Sequence, residues 1–403
     1  MNKTKTVTLA LAVLLLAGCL GFHMAASAET GSELDDASFS ERDLSGAYDD
    51  EVFTITLNGA DTRTDSDDVQ ISGSVITVTG AGTYILTGTL DNGCVIVDTA
   101  KEDKVQLVLN GVSINSDSSA AIYIKQADKV FVTLAEGTVN VLSSGGFSQI
   151  DGSDVDAVIF SKEDLTLNGG GTLQIVSPAG HGIVCKDELT VTGGVYTIQA
   201  AQSAVKAKDS IAVADGSFTL RAGADGLHAE NSDDEMLGNI LIAGGSFDIQ
   251  AADDAVHANT LLQIDGGTFE ITAAEGFEAT YILINGGSIR ISATDDGINA
   301  ARKSSAYTPT VEINGGEITV SMGAGDTDGV DSNGDLIIRG GTVSVTGNSA
   351  FDYDGTATYT GGTIIVNGQQ LDSIPNQMMG GRGGMMGGGM MDGNPGMHGK
   401  KGW

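Results

Sequence analysis

The chain has 403 residues and 41% apolar content, enough for a large core, but 58 Gly against 4 Pro and only 5% aromatics do not describe an ordinary globular enzyme. Many Gly with few Pro and no Gly-X-Y period exclude collagen and favour a repeated, turn-rich β structure. The net charge of −33 argues against nucleic acid, which needs clustered Lys or Arg, and suits cations, neutral ligands, or acidic ligands bridged by cations.

Residues 1–28 read as an address. Lys3 and Lys5 form a basic start, and Val7 to Ala17 is an apolar stretch too short to span a membrane after processing. Leu16-Ala17-Gly18-Cys19 looks like the lipobox of bacterial lipoproteins, which makes Cys19 the expected lipidation site and the protein a cell-surface lipoprotein. Ala26-Ser27-Ala28 fits an ordinary signal-peptidase site, and the alternative is free secretion. Residues 29–47 are acidic and Ser-rich and are expected to be a spacer. Beyond Cys19 only Cys94 and Cys185 remain, far apart and inside apolar runs, so they read as two buried thiols.

From Val52 the text turns to short apolar alternations such as Val52-Phe53-Thr54-Ile55-Thr56-Leu57 and Val75-Ile76-Thr77-Val78. Period-two patterning with β-branched residues predicts strands, and no stretch predicts a long amphipathic helix. Residues 48–155 are expected to be the first coils and a cap, and 156–372 the regular repeats.

In that second part a short motif recurs: an acid or polar residue, then Gly or Ala, then a large apolar residue. Its copies begin at Asp156, His181, Ser203, Asp225, Asp254, Glu275, Asp296, Asp328 and Ser349. Between them fall Gly-Gly-like turns, from Gly169-Gly170 to Gly361-Gly362, each followed by another alternating strand. The base period is about 21–22 residues with about three short strands per unit, which predicts a parallel β-helix. Coils then stack about 4.8 Å apart. The longest insertions, Asn231 to Gly238 and Ala301 to Thr308, fall at one corner of the coil and suggest loops decorating one face. Residues 373–403 hold 7 of the 11 Met and the only Trp; such a Met/Gly tract cannot bury a core and is expected to be disordered.

Stacking carries a chemical consequence. Five consecutive first positions, Asp225, Asp254, Glu275, Asp296 and Asp328, form one carboxylate column, with Asp253, Asp295 and Asp326 adjacent. Neighbouring carboxylates at this pitch repel by about 1 kcal/mol even at the dielectric of bulk water. Either some stay protonated or a cation sits among them. Ca²⁺ is the natural ion, because it accepts six to eight oxygens at flexible geometry. The outward column beside it is expected to read Ile159, Val184, Lys206, His228, His257, Glu278, Asn299, Asp331 and Asp352. Asp331 joins the metal-ligand candidates, while Lys206, His228, His257, Glu278 and Asn299 are candidate carbohydrate contacts. Lys162, Lys186 and Lys208 occupy equivalent places in earlier coils. They read as an ion-pair ladder or, alternatively, as a strip for uronate carboxylates. Catalytic constellations are weak: no nucleophile elbow, zincin or P-loop is present.

Several stretches together resemble a known family of secreted, calcium-containing carbohydrate-binding proteins of fibre-degrading anaerobic bacteria. They include Ser40-Glu41-Arg42-Asp43-Leu44-Ser45-Gly46, Gly82-Thr83-Tyr84-Ile85-Leu86-Thr87-Gly88-Thr89-Leu90, and Val105-Gln106-Leu107-Val108-Leu109-Asn110-Gly111. The resemblance implies a right-handed parallel β-helix akin to pectate lyases, binding acidic plant cell-wall polysaccharide such as polygalacturonate. The expectation is a monomeric, calcium-dependent, non-catalytic binding protein held outside the cell through its lipid anchor. The alternatives are a polysaccharide lyase or hydrolase on the same scaffold, and a structural adhesion protein.

Overall fold

The computed structural model describes residues 39–48, 51–150, 152–323 and 327–376. Strands dominate, and they pair in parallel from one coil to the next, as the repeat predicts. Each regular coil gives one strand to each of three faces. The first face runs through Ala157–Ser161, His181–Cys185, Val205–Ala207, Leu227–Ala229, the starts of Asp254–Ile264 and Glu275–Ile284, Ile298–Ala300, Asp328–Ser332 and Ser349–Tyr353. The second runs from Lys129–Leu134 to Ala357–Tyr359, and the third from Val139–Ser144 to Thr363–Val366. The architecture is a parallel β-helix. An antiparallel pair lies at each end, Val69–Ser72 with Val75–Val78 and Thr363–Val366 with Gln369–Leu371, and covers the outer strand of one face there.

The third motif position builds the lumen. Ile183, Val205, Leu227, Val256, Phe277, Ile298, Val330 and Phe351 stack in register and are all buried. On the third face the rings of Tyr196, Phe218, Phe247 and Phe269 stack at 5.0, 4.7 and 4.7 Å between centroids, a spacing set by the coil pitch. Cys185 is buried in this core and Cys94 in a smaller outer cluster; both are free thiols.

The second motif position is small because the corner is crowded. A Cβ on Gly297 would lie 2.3 Å from Val320 Cγ1 and 2.4 Å from the Gly329 carbonyl oxygen, and Gly276 is pressed in the same way by Gly297 O and Ile291. Gly297→Val is therefore expected to cost about 1–3 kcal/mol through overpacking. Denaturant unfolding measures it, and an unchanged midpoint would remove this account of the motif.

Four expectations need correction. The first copy is out of step by one residue: Ile159, not Val158, pairs with Ile183, so Phe160 takes the outward place expected of Ile159. Phe160 and Val184 are not exposed but join Tyr123, Cys94 and Val155 in the outer cluster, because the connection after Ser144 adds residues to that coil. The end of the expected spacer is docked structure: Glu41–Leu44 is a helix with a Ser40–Asp43 capping box, and Asp43 is buried. At the other end Ile374 still packs on the core, two residues past the expected boundary. Cys19, Asp326 and the Met/Gly tract from residue 377 lie outside the described residues.

Candidate functional site

Register brings the predicted residues together on the outside of the first face. Asp254 pairs with Glu275, and Gly226, Gly276 and Gly297 donate their N–H groups to the carbonyls of Asp254, Asp296 and Asp328. These contacts align Asp225, Asp254, Glu275, Asp296 and Asp328 in one column, one per coil. Three residues on in each strand runs the second row: Lys206, His228, His257, Glu278, Asn299, Asp331 and Asp352. Asp253 and Asp295 stand on the exposed side of the same corner.

The two insertions wall this strip. They meet across several coils, where Ser304 Oγ donates to Glu235 O at 2.6 Å and Ser305 N donates to Glu235 Oε2 at 3.0 Å. From them Lys303 reaches Glu278 Oε1 at 2.7 Å and Asp233 reaches Lys208 Nζ at 2.7 Å. At the basic end a depression of about 240 Å³ is lined by Lys186, Lys206, Lys208, Glu230, Ser232 and Cys185, among others. The expected ion-pair ladder forms only in part. Of its three members only Lys208 forms an ion pair, with Asp233, whereas Lys162 and Lys186 lie over the rings of Tyr123 and Phe160, at 5.7 and 5.5 Å; Lys206, outside the ladder, meets Glu230.

The carboxylate column divides in two. In its first half the acids have basic side chains as partners. His228 Nδ1 lies 2.6 Å from Asp225 Oδ2, and His257 Nδ1 lies 2.7 Å from Asp254 Oδ2 and 2.9 Å from Glu278 Oε2. The imidazoles stack at 4.7 Å. Burial pushes Asp225 up, yet the hydrogen bond and charge of His228 outweigh it and hold it below the usual range. Asp254 goes the other way, to about 6, because burial is joined by the charge of Glu278, with which it shares His257. Burial would neutralise His257, but the two carboxylates lift it to about 10. Glu278, opposed by burial, is drawn down to about 2 by His257 and Lys303.

In the second half no such cations intervene among the described residues of the strip. Burial first, then neighbouring acids, lift Glu275 to about 8, Asp296 to about 6 and Asp331 to about 7. Buried oxygens also stand without hydrogen-bond partners: Asn299 Oδ1, Thr327 Oγ1, Ser349 Oγ and Asp352 Oδ1. The Asn299 amide nitrogen donates to Glu275 Oε2 at 3.0 Å, while its oxygen is left without a partner on a strand whose next neighbour carries Asp331. An all-oxygen donor set with lifted acids and partnerless buried oxygens fits a hard divalent cation such as Ca²⁺.

Sequence reasoning did not single out Lys303, Glu230 or Asp233. The signal was present, since Lys303 and Asp233 lie in the two insertions predicted to decorate a face, but their partners depend on how those loops fold back.

The profile of the carbohydrate-binding domain-containing protein family matches residues 72–326 and 277–373. A carbohydrate-binding domain-containing protein of Acetivibrio thermocellus is 36% identical over 137 residues, 33% of this chain and 48% of that protein. The chain thus spans about half the length of the curated relative it matches. A solved polysaccharide lyase-like protein from C. thermocellum, a gadolinium derivative, aligns over 81% of this chain and 97% of its own at 24% identity, with a TM-score of 0.38.

Proposed function

This chain belongs to the family of carbohydrate-binding domain-containing proteins, and from that premise we propose that its outer strip binds an acidic plant cell-wall polysaccharide in a calcium-dependent, non-catalytic way. The observation that carries this reading is the change of character along one row, from Lys206 through paired imidazoles to Asp331 and Asp352, with partnerless oxygens at the acidic end. A uronate carboxylate suits the Lys186, Lys206 and Lys208 depression directly. At the other end a like-charged polymer needs a cation between itself and the protein. Asp296, Asp328, Asp331, Asp352 and Asn299 would hold that ion, which supplies charge neutralisation and open coordination positions for sugar oxygens. A lipid anchor at Cys19 would present the strip outside the cell.

Pull-down and calorimetry with polygalacturonate, in calcium and in chelator, test the reading, while absorbance monitors unsaturated products. Binding that vanishes with chelator and yields no product is expected. Product formation makes the protein a lyase, and failure to bind any wall polymer leaves a structural role. Removing the basic end with Lys206→Ala and Lys208→Ala is expected to weaken polygalacturonate binding about tenfold or more, on the order of one lost charge-assisted hydrogen bond. Calcium affinity should not change. Equal affinity for the polymer would exclude the depression as a uronate contact.

A further inference from the structure

His228 and His257 are held in the manner of metal ligands. Each ring turns Nδ1 to an acid three residues earlier in its own strand turn, Asp225 at 2.6 Å and Asp254 at 2.7 Å, and both acids are buried. A carboxylate only accepts, so each ring keeps its Nδ1 proton and its other nitrogen, Nε2, faces away from the protein. The direction is confirmed at His228, whose Nε2 lies 3.3 Å from Glu230 Oε2 on the exposed side. The two rings are nearly parallel, 11° apart, at 4.7 Å; His257 Nδ1 faces Asp254 Oδ2 at 2.7 Å and also Glu278 Oε2 at 2.9 Å, which leaves Nε2 as its other ring nitrogen on the side away from those acids. Imidazoles that coordinate metal almost always have the second nitrogen fixed by a carboxylate in this fashion.

We propose that His228 Nε2, His257 Nε2 and Glu230 form a site for a transition-metal dication of the zinc type, separate from the all-oxygen calcium site at the acidic end. Two imidazoles and one carboxylate are a donor set suited to Zn²⁺ and Co²⁺ and poor for Ca²⁺. Zn–N bonds of about 2.0–2.1 Å span at most about 4.2 Å between two nitrogens, so the rings tilt toward each other as the ion enters. Glu230 leaves a long 3.6 Å contact with Lys206 to do so. Any proton on His257 Nε2 goes to solvent as the metal binds, and the metal takes over the positive charge that Asp254 and Glu278 face. The fourth position stays open to water or to a sugar oxygen in the strip.

The test uses the full chain saturated with calcium, titrated with Zn²⁺ by calorimetry at pH 7.5 and with Co²⁺ by visible absorption. One equivalent of each is expected, with the intense d–d band of tetrahedral cobalt. His228→Ala and His257→Ala should each abolish it, and Asp225→Asn should weaken Zn²⁺ about 10- to 100-fold by freeing the ring behind the ligand. Asp331→Asn should lose calcium and keep Zn²⁺. Circular dichroism on each variant shows that the coils remain folded. No stoichiometric Zn²⁺ binding, or unchanged affinity in the double His variant, overturns the proposal. So does a site that disappears in Glu278→Gln but survives His228→Ala, because the ion would then lie among Asp254, His257 and Glu278 instead.

Discussion

Stripped of divalent cations, the protein should lose stability steadily as the pH rises from about 4 to 8, and calcium should remove most of that slope. The sign follows from the column. Glu275, Asp296, Asp331 and Asp254 sit at about 8, 6, 7 and 6 in the folded chain, above the ordinary carboxylate range near 4. The folded state therefore binds more protons than the unfolded state through that window, and each deprotonation costs stability until the folded value is passed. His257 adds to the same trend, since its folded value near 10 makes its contribution complete below about 6.5 and lost on the way to 10. Glu278, at about 2, works oppositely and only at the acid end, losing its contribution as pH falls below about 4.5. Together the lifted acids make a difference on the order of a few kcal/mol. Calcium bound only to the folded state returns about 2.7 kcal/mol at a hundredfold excess over Kd. Its binding at pH 7 should expel protons from Glu275 and Asp331, visible as a buffer-dependent calorimetric heat. Asp296→Asn with Asp331→Asn should invert the order, giving a chain more stable than wild type in chelator at pH 8 and indifferent to calcium. A melting temperature flat from pH 5 to 8 in chelator would contradict the repulsion on which the cation site rests.

Asp43→Ala should cost about 3–5 kcal/mol, out of proportion to one residue of a four-residue helix. Asp43 is 3% exposed and accepts from Lys129 Nζ at 2.8 Å and Thr166 Oγ1 at 2.6 Å, while its carbonyl accepts from Asn168 and Thr192. Burial opposes its charge, but Lys129, Ser40 and Thr166 hold it below the usual carboxylate range. Truncation removes the 2.8 Å partner of Lys129, itself little exposed, leaving it only the weaker electrostatic contact of Asp164 and Glu188, and Arg42 loses its place over the Phe131 ring. Protease cleavage after Arg42 should become fast in the variant. Adding Lys129→Met should recover part of the loss, because the poorly compensated charge goes with it. A loss below about 1 kcal/mol would mean that the segment is not anchored through this pair.

The coil stack was legible because the repeat is nearly rigid in register: once Val256 and Ile298 face inward, His257 and Asn299 must face outward, and Asp254 and Asp296 must share a corner. Legibility failed where length varied. Ala157, not Asp156, pairs with His181, so Phe160 takes the place expected of Ile159, since period-two patterning reverses faces at every slip. The division of the carboxylate column was hidden for a different reason. Lys303 reaches Glu278 from a loop, and its position depends on Ser304 and Thr280 rather than on any period in the sequence. Asp43 was read as spacer because its partners, Lys129 and Thr166, are many coils away in sequence and announce nothing locally.

The bond between the two insertions alters how the stack of coils comes apart. In a stack where each coil touches only its neighbours, opening propagates one coil at a time from an end. Here the Glu235 carbonyl accepts from Ser304 Oγ and from Thr260 Oγ1 at 2.9 Å, one coil on, while its carboxylate accepts from Ser305 N. The coils from Leu227 to Ile313 should consequently open as one cooperative unit, with amide exchange near a common rate, while fraying that begins at Thr363–Val366 halts at the clasp. The strip that spans this block keeps its spacing even when the last coils are loose.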